Sequence, residues 1–191
     1  MQASRPTELI LIRHAPARTE GRLCGRTDVA ADLSDTAAIA ALARAVGPVD
    51  RIHVSPALRC RATAAALWPQ REFTLDAALW EQDFGAWEGM PLAGIPDLGP
   101  LSRAALAAHR PPGGESFADL TARVAPALRA LPAGRTALVV HAGTIRAALA
   151  LALSDPADAL GFEILPLSVT QIARQAGTWS VGAVNRVAGW A

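Results

Sequence analysis

Short apolar runs alternate along the chain with stretches in which apolar residues recur at helical spacing. The strands that these runs predict are residues 8–12, 51–54, 73–75 and 136–140. Continuous apolar runs of this length are typical of strands that are buried on both faces of a parallel sheet. Because predicted helices separate the strands, we expect an α/β fold, a three-layer α/β/α sandwich with a mostly parallel sheet.

The helical spacing predicts four helices, over residues 35–46, 56–68, 117–131 and 144–153. Ser34 is the expected N-cap of the first helix, and Ser55 is that of the second, with Pro56 at its first helical position. Ser116 opens the third helix in the pattern of a capping box. Pro126 lies inside this helix and is expected to kink it.

Residues 85–114 are rich in Gly and Pro and have no clear apolar period. We expect them to form an excursion over the functional site within a single domain, residues 1–191, since one domain commonly has roughly 100–200 residues. Near the end of the chain, the pattern predicts a β-hairpin of residues 169–174 and 179–187. Such a hairpin leaves a sheet edge that a second copy of the chain could pair with in a homodimer.

Composition and charge exclude several classes of protein. The chain has 18 Lys+Arg and 17 Asp+Glu residues, so charge gives no reason to expect a nucleic acid or an anionic membrane as partner. The longest Ala/Leu run, residues 147–153, is far shorter than the ~20 apolar residues of a membrane span. The first residues lack the pattern of a signal peptide, so we expect a cytoplasmic protein. Cys24 and Cys60 do not have metal-binding spacing, which predicts no thiolate metal site.

Arginines and histidines follow three of the predicted strands. Arg13 and His14 come directly after the first strand. Arg59 lies one turn into the helix after the second strand, and His141 follows the strand that ends at residue 140. The carboxyl ends of parallel strands meet at one edge of a sheet, where α/β proteins bind ligands. Guanidinium groups match phosphate oxygens and a free imidazole can attack phosphorus, so these residues predict a site for a phosphate group.

Five motifs follow one another along the chain. They are Arg13-His14-Ala15, Ser55-x-x-x-Arg59-x-x-x-Thr63, Leu79-x-Glu81-x-x-x-Gly85-x-Trp87-Glu88-Gly89, Pro112-Gly113-Gly114-Glu115-Ser116 and His141-Ala142-Gly143-Thr144-Ile145-Arg146. Together they resemble the motifs of the histidine phosphatase superfamily, in that family's order. The resemblance implies the phosphoglycerate mutase-like form of the sandwich fold.

The resemblance also implies a role for each of five residues. His14 would be the nucleophile that forms a phosphohistidine intermediate. Arg13, Arg59 and His141 would hold the phosphoryl oxygens, in agreement with the dependence of phosphoryl transfer on positioning and charge stabilisation. Glu81 would protonate the leaving oxygen and then deprotonate the attacking water. This covalent route implies neither a metal nor a cofactor.

Three positions depart from the family pattern. The family commonly has Gly after the nucleophile, where this chain has Ala15. Its mutases often continue with a carboxylate or amide and have Asn six residues past the histidine, where this chain has Pro16 and Glu20. The missing Asn leaves one phosphate donor unassigned, for which Arg22 and Arg26 are the alternatives. We include Arg26 among the expected substrate-binding residues.

Residues 21–29 resemble the corresponding loop of alpha-ribazole phosphatases, which act in cobalamin synthesis. The expected function is therefore a metal-independent phosphomonoesterase for a small metabolite, with alpha-ribazole 5'-phosphate as the candidate substrate. The alternatives are a phosphoglycerate mutase, a broad-specificity sugar phosphatase, and a binding module for phosphorylated ligands that has lost turnover. Glu81 argues against the binding module, because binding alone needs no proton donor.

Other polar residues near the motifs have simpler interpretations. Asp83 and Glu88 compete with Glu81 as general acid, and we expect Glu88 to be structural. His53 lies within a predicted strand and is expected to be structural or exposed. His109 lies in the Gly- and Pro-rich segment and is expected to be a solvated loop residue.

Overall fold

A single six-stranded sheet forms the centre of the computed structural model, which describes residues 5–187. The strands are β1 (Thr7–Arg13), β2 (Arg51–Val54), β3 (Thr74–Leu75), β4 (Gly134–Val140), β5 (Val169–Gln175) and β6 (Thr178–Arg186). Their order in the sheet is β3–β2–β4–β1–β5–β6, and the first four are parallel to one another. The antiparallel hairpin of β5 and β6 completes the sheet. The predicted strands and hairpin are confirmed, and β6 forms one edge; the homodimer stays a prediction.

Helices cover both faces of the sheet, as the predicted sandwich requires. They are α1 (Thr36–Val46), α2 (Leu58–Leu67), α3 (Arg103–Ala108), α4 (Phe117–Ala130) and α5 (Ala142–Leu149). Leu9 and Leu11 of β1 belong to a core shared with α4 and α5, whereas Ile10 and Ile12 belong to a core shared with α1 and α2. Successive side chains of a strand point to opposite faces, so one apolar run supplies both cores.

The predicted starts of two helices are wrong by one or two residues. Asp35, not Ser34, caps α1, because its carboxylate accepts a hydrogen bond from the Ala38 amide at 2.9 Å. α5 begins at Ala142 instead of residue 144, and it continues as a 3-10 turn over Ala150–Ala152. Ser116 does form the predicted capping box at the start of α4.

The predicted cap of α2 is also wrong. The helix begins at Leu58 and not at Pro56, and the Leu58 amide donates a hydrogen bond to the Asp28 carboxylate at 2.7 Å. A carboxylate from a distant loop therefore satisfies the free N–H at this helix start. The Ser55 hydroxyl is engaged elsewhere, in a contact with His141.

Residues 85–114 contain elements that the sequence pattern does not predict. They include the 3-10 turns Gly85–Trp87 and Leu92–Gly94 and the six-residue helix α3, which is too short to display a helical period. Backbone contact holds the two ends of the segment together, since a Cβ on Gly85 would lie 2.3 Å from the Pro112 carbonyl oxygen.

Within residues 5–187, no helix is long and apolar enough to cross a membrane. Residues 1–4 lie outside the described residues, and the prediction that the chain starts without a signal peptide falls partly on them.

Candidate active site

Two histidines face each other where β1 and β4 end. His14 directly follows β1, and His141 directly follows β4 as the N-cap residue of α5. Their ring centroids lie 5.2 Å apart in an edge-to-face arrangement. The His14 amide also donates to the Val140 carbonyl at 3.0 Å. The parallel pairing of β1 and β4 thus brings together the two histidines that the strand positions single out.

The His14 ring is held in one orientation by its own loop. Nδ1 lies 2.7 Å from the carbonyl oxygen of Ala15, so it carries the hydrogen and leaves the Nε2 lone pair free. Burial lowers the pKa of His14 to about 3, although the bond to Ala15 acts in the other direction. The charges of Arg59 and Arg13 lower this pKa further. His14 is therefore a neutral imidazole at neutral pH, the form that can act as a nucleophile.

His141 is fully buried and in contact with three side chains. Its Nε2 lies 2.8 Å from the Ser55 hydroxyl and 3.5 Å from the Cys60 sulfur. Trp80 lies parallel to the His141 ring, with 6.3 Å between centroids. Burial lowers the pKa of His141 well below its usual value, and the nearby His14 and arginines act in the same direction. When the Ser55 hydroxyl donates to Nε2, Nδ1 becomes the N–H donor of this neutral ring.

Arg13 and Arg59 bring two buried or half-buried cations beside the histidines. Arg13 donates to the Ile164 carbonyl at 2.6 Å, and among residues 5–187 its buried Nε atom has no hydrogen-bond partner. The fully buried Arg59 donates to the carbonyls of Gly25 and Thr27 at 2.7 and 3.1 Å. Arg59 therefore fixes the loop around residue 25 through these hydrogen bonds. It also places a positive charge near His14.

Thr63 ties α2 to the nucleophile. Its hydroxyl donates to the Arg59 carbonyl at 2.7 Å and accepts from the Ala15 amide at 3.0 Å. Ala15 itself is fully buried, next to His14. The spacing of Arg59 and Thr63 thus has a structural basis, because residues four apart lie on one face of α2 and Thr63 joins the Arg59 carbonyl to the Ala15 amide.

Glu81 reaches the start of α5, beside His141. One oxygen of its carboxylate accepts from the Gly143 amide at 3.1 Å, and the other accepts from the Gln82 amide at 3.0 Å. A Cβ at position 143 would displace the Glu81 carboxylate, so glycine at this position allows the carboxylate to approach the start of α5. Burial lowers the pKa of Arg13, and the charge of Glu81 acts in the other direction.

Glu88 is structural, as its position suggests. Its carboxylate accepts hydrogen bonds of 2.8 to 3.2 Å from the backbone amides of Gly25, Arg26, Thr27 and Phe84, and one of 2.6 Å from the Thr27 hydroxyl. Burial opposes the charge of Glu88, but these bonds outweigh burial and lower its pKa. A Cβ on Gly25 would lie 2.0 Å from the Gln82 carbonyl oxygen, so this loop packs directly on the Glu81 segment.

The structure distinguishes the two arginines that could replace the family Asn. Arg22 donates to the Gly89 carbonyl at 2.9 Å and is exposed. Arg26 lies beside the site, with its guanidinium carbon 5.6 Å from the centre of the Trp80 ring. Glu20 is exposed, and its φ of 53° is a left-handed conformation that Asn adopts more readily.

Arg123 and Glu115 lie near the site, and no sequence pattern predicts a role for either residue. Arg123 donates to both carboxylate oxygens of Glu115 and to backbone carbonyls of the Glu81 segment. Arg26 approaches the same Glu115 carboxylate at 3.6 Å. The prediction of a solvated His109 is wrong, because its ring stacks on Trp87 at 5.4 Å.

The family model of the histidine phosphatase superfamily (branch 1) matches residues 9–187. The chain belongs to this superfamily. The bifunctional protein Rv2228c of Mycobacterium tuberculosis is 34% identical over 201 residues, an alignment that covers 95% of this chain and 54% of the relative. This superfamily member therefore spans about half the length of the curated relatives that it matches.

Solved structures show the same fold. The mycobacterial glucosyl-3-phosphoglycerate phosphatase Rv2419c superposes with a TM-score of 0.80 and 26% identity, covering 95% of this chain and 99% of its own. A candidate alpha-ribazole-5'-P phosphatase of Escherichia coli K-12 superposes with a TM-score of 0.78 and 20% identity, covering 94% and 96% of the two chains. At that identity the second likeness shows the fold alone.

Proposed function

We propose that this histidine phosphatase superfamily member is a phosphomonoesterase that hydrolyses a small phosphorylated metabolite through a phosphohistidine at His14. One observation carries the proposal: the free Nε2 of a neutral, oriented His14 lies in a buried site beside Arg13, Arg59 and His141. A neutral imidazole among fixed cations suits attack on a phosphoryl group, whose oxygens carry negative charge.

In the first step, the Nε2 lone pair of His14 forms a bond to phosphorus and the bond to the ester oxygen breaks. The leaving oxygen takes a proton from Glu81, which contributes a rate factor of roughly 10²–10⁴ as a general acid. Arg13, Arg59 and His141 donate to the phosphoryl oxygens. Each such donor contributes on the order of 10²–10³, judged by oxyanion-hole deletions.

In the second step, water attacks phosphorus and the bond between phosphorus and Nε2 breaks. The Glu81 carboxylate, ionised after the first step, takes the proton of the attacking water. His14 returns to its neutral form, with Nδ1 still donating to Ala15. The metal-independent route thus uses only groups that the chain itself supplies.

We assign the part of the substrate beyond the phosphate to Arg26 and Trp80, which lie next to His141. The loop of residues 21–29 supports alpha-ribazole 5'-phosphate, and thereby a step of cobalamin synthesis. The 26% identity to glucosyl-3-phosphoglycerate phosphatase supports a phosphorylated sugar acid as the second candidate. An aromatic ring next to a guanidinium can accept either a base or a carboxylate.

The experiment is a phosphate-release assay in EDTA with 4-nitrophenyl phosphate, alpha-ribazole 5'-phosphate, glucosyl-3-phosphoglycerate, 3-phosphoglycerate and fructose 2,6-bisphosphate. We expect EDTA-resistant release that His14→Ala abolishes and that the matched variant His53→Gln retains. Acid-labile label from a ³²P substrate on the parent enzyme, absent from His14→Ala, would identify the phosphohistidine. Circular dichroism confirms that both variants are folded.

The same assay separates the alternatives. Phosphate exchange that depends on a bisphosphoglycerate primer, with little free phosphate, identifies a mutase. Binding of phosphorylated ligands without any turnover identifies a binding module and contradicts the proposal.

A further inference from the structure

Arg123 extends from the middle of α4 to the segment that carries Glu81. Its guanidinium donates to the backbone carbonyls of Ala78, Trp80 and Glu81 at 2.8, 3.1 and 3.2 Å. The same group donates to both oxygens of Glu115 at 2.9 and 2.8 Å. The planar guanidinium fork can make such a set of bonds, whereas a lysine ammonium cannot reproduce it.

Glu115 fixes the direction of this fork. The pair is largely buried, with 22% and 21% of the two side chains exposed. The second Glu115 oxygen also accepts from the Asp83 amide at 3.1 Å, and the Glu115 carbonyl accepts from the Gln82 side chain at 2.7 Å. Arg123 and Glu115 therefore form hydrogen bonds with residues 78–83 on both sides of Glu81 and hold this segment in place.

A second set of contacts comes from α5. The Thr144 hydroxyl lies 3.3 Å from the carbonyls of both Leu79 and Trp80, and the Gly143 amide binds the Glu81 carboxylate. These contacts fix the Glu81 backbone and carboxylate relative to the start of α5, where His141 is the N-cap residue. Arg123 touches none of the proposed reacting atoms, so it acts on the reaction through the residues around it, and among the residues that it binds Glu81 is the proposed general acid.

We propose that Arg123 is a positioning residue that holds the Glu81 carboxyl where it can protonate the leaving oxygen. The inference rests on the proposed function, in which Glu81 is the general acid. It goes beyond that function because it assigns a catalytic consequence to a residue outside the phosphate site. A residue that only stabilised the fold would affect all substrates alike.

The test compares two leaving groups. A nitrophenolate leaves without help from an acid, whereas an alkoxide needs the Glu81 proton. We expect Arg123→Lys to lower kcat/KM for an alkyl phosphomonoester by roughly 10–100-fold, the scale of a displacement near 1 Å. For 4-nitrophenyl phosphate we expect a fall of less than ~3-fold. The ratio kcat/KM is the appropriate quantity, because it reports the steps up to departure of the first product.

Two further comparisons test whether the effect of Arg123→Lys depends on Glu81. In a Glu81→Gln background, Arg123→Lys should cause no additional loss on the alkyl substrate, because the group that it positions is gone. Arg129→Lys, a change on an exposed side chain of the same helix, should leave both substrates unaffected. If Arg123→Lys does not fold, Thr144→Val removes the contact from α5 and should show the same dependence on the leaving group.

The outcomes are distinct. Equal losses on both substrates, or a further loss in the Glu81→Gln background, overturn the positioning role while leaving the proposed function intact. A parent enzyme that releases phosphate from neither substrate overturns the proposed function, and this inference with it.

Discussion

The Ser55 hydroxyl binds a histidine of the candidate site and does not cap the helix that follows it in sequence. It lies at the end of β2 and, at 2.8 Å, is bound to Nε2 of the fully buried His141. A buried imidazole nitrogen without a hydrogen-bond partner lowers the stability of the folded protein. The bond to Ser55 therefore stabilises the protein and fixes the orientation of the His141 ring. The only other polar neighbour of that nitrogen, among the described residues, is the weakly bonding Cys60 sulfur.

We therefore expect Ser55→Ala to lower the free energy of unfolding by about 1–3 kcal/mol, the cost of an unpaired buried polar group. It should also lower kcat, because the His141 ring loses the contact that orients it for its proposed role as a phosphate donor. Urea unfolding and phosphate release measure the two effects. Ser180→Ala, a change at an exposed hydroxyl of β6, is the matched control. Unchanged stability and activity in Ser55→Ala would show that the contact has no role.

At the scale of elements, the loop of residues 25–28 is a rigid part of the site. Glu88 binds the amides of three successive residues from one side, and Arg59 binds carbonyls from the other. Asp28 then caps α2. Loops are commonly mobile, but this one has most of its backbone groups bonded to buried or half-buried charges. The backbone of Arg26 is consequently held in one position, with the guanidinium group near Trp80.

Glu88→Gln tests this loop. The amide retains one acceptor oxygen but turns a donor NH₂ group toward backbone N–H groups, so we expect a loss of stability of roughly 1.5–3 kcal/mol. Because Arg26 loses its fixed position, KM should rise more than kcat falls. Urea unfolding and steady-state kinetics measure both, with the exposed Glu163→Gln as control. A variant with parental KM and stability would contradict this account.

The elements that sequence alone predicts are those with strong local patterns. The apolar runs identify the four parallel strands and, with them, the edge at which His14 and His141 meet. The start of α2 is missed because Ser55, the expected cap, is bound to His141 and the cap comes from Asp28, some thirty residues earlier. Arg123 is missed for a related reason: its partners are backbone carbonyls more than forty residues away, and no side-chain pattern reports them.

At the scale of the molecule, the fold holds several cationic and imidazole groups in a site largely removed from water. The two helix layers bury Arg59, His14 and His141, and burial lowers the pKa of both histidines. Buried positive charge without a counter-ion opposes folding, and the phosphoryl group of the proposed substrate would offset this cost. Inorganic phosphate should therefore stabilise the folded chain by mass action.

The depressed pKa of His14 and His141 predicts that the protein loses stability as the pH falls. Between the unfolded-state pKa near 6.5 and the folded-state pKa of about 3 for His14, the unfolded chain binds a proton that the folded chain does not. Acid therefore favours unfolding, by up to ~1.4 kcal/mol per pH unit for each such histidine. Urea unfolding at pH 7.5 and pH 5.0, in a buffer without phosphate, should show this loss, and His14→Asn should lose about 2 kcal/mol less than the parent over the same range. Equal losses in parent and variant would mean that His14 titrates alike in the folded and unfolded chains, which would remove the physical basis for a neutral nucleophile held by burial.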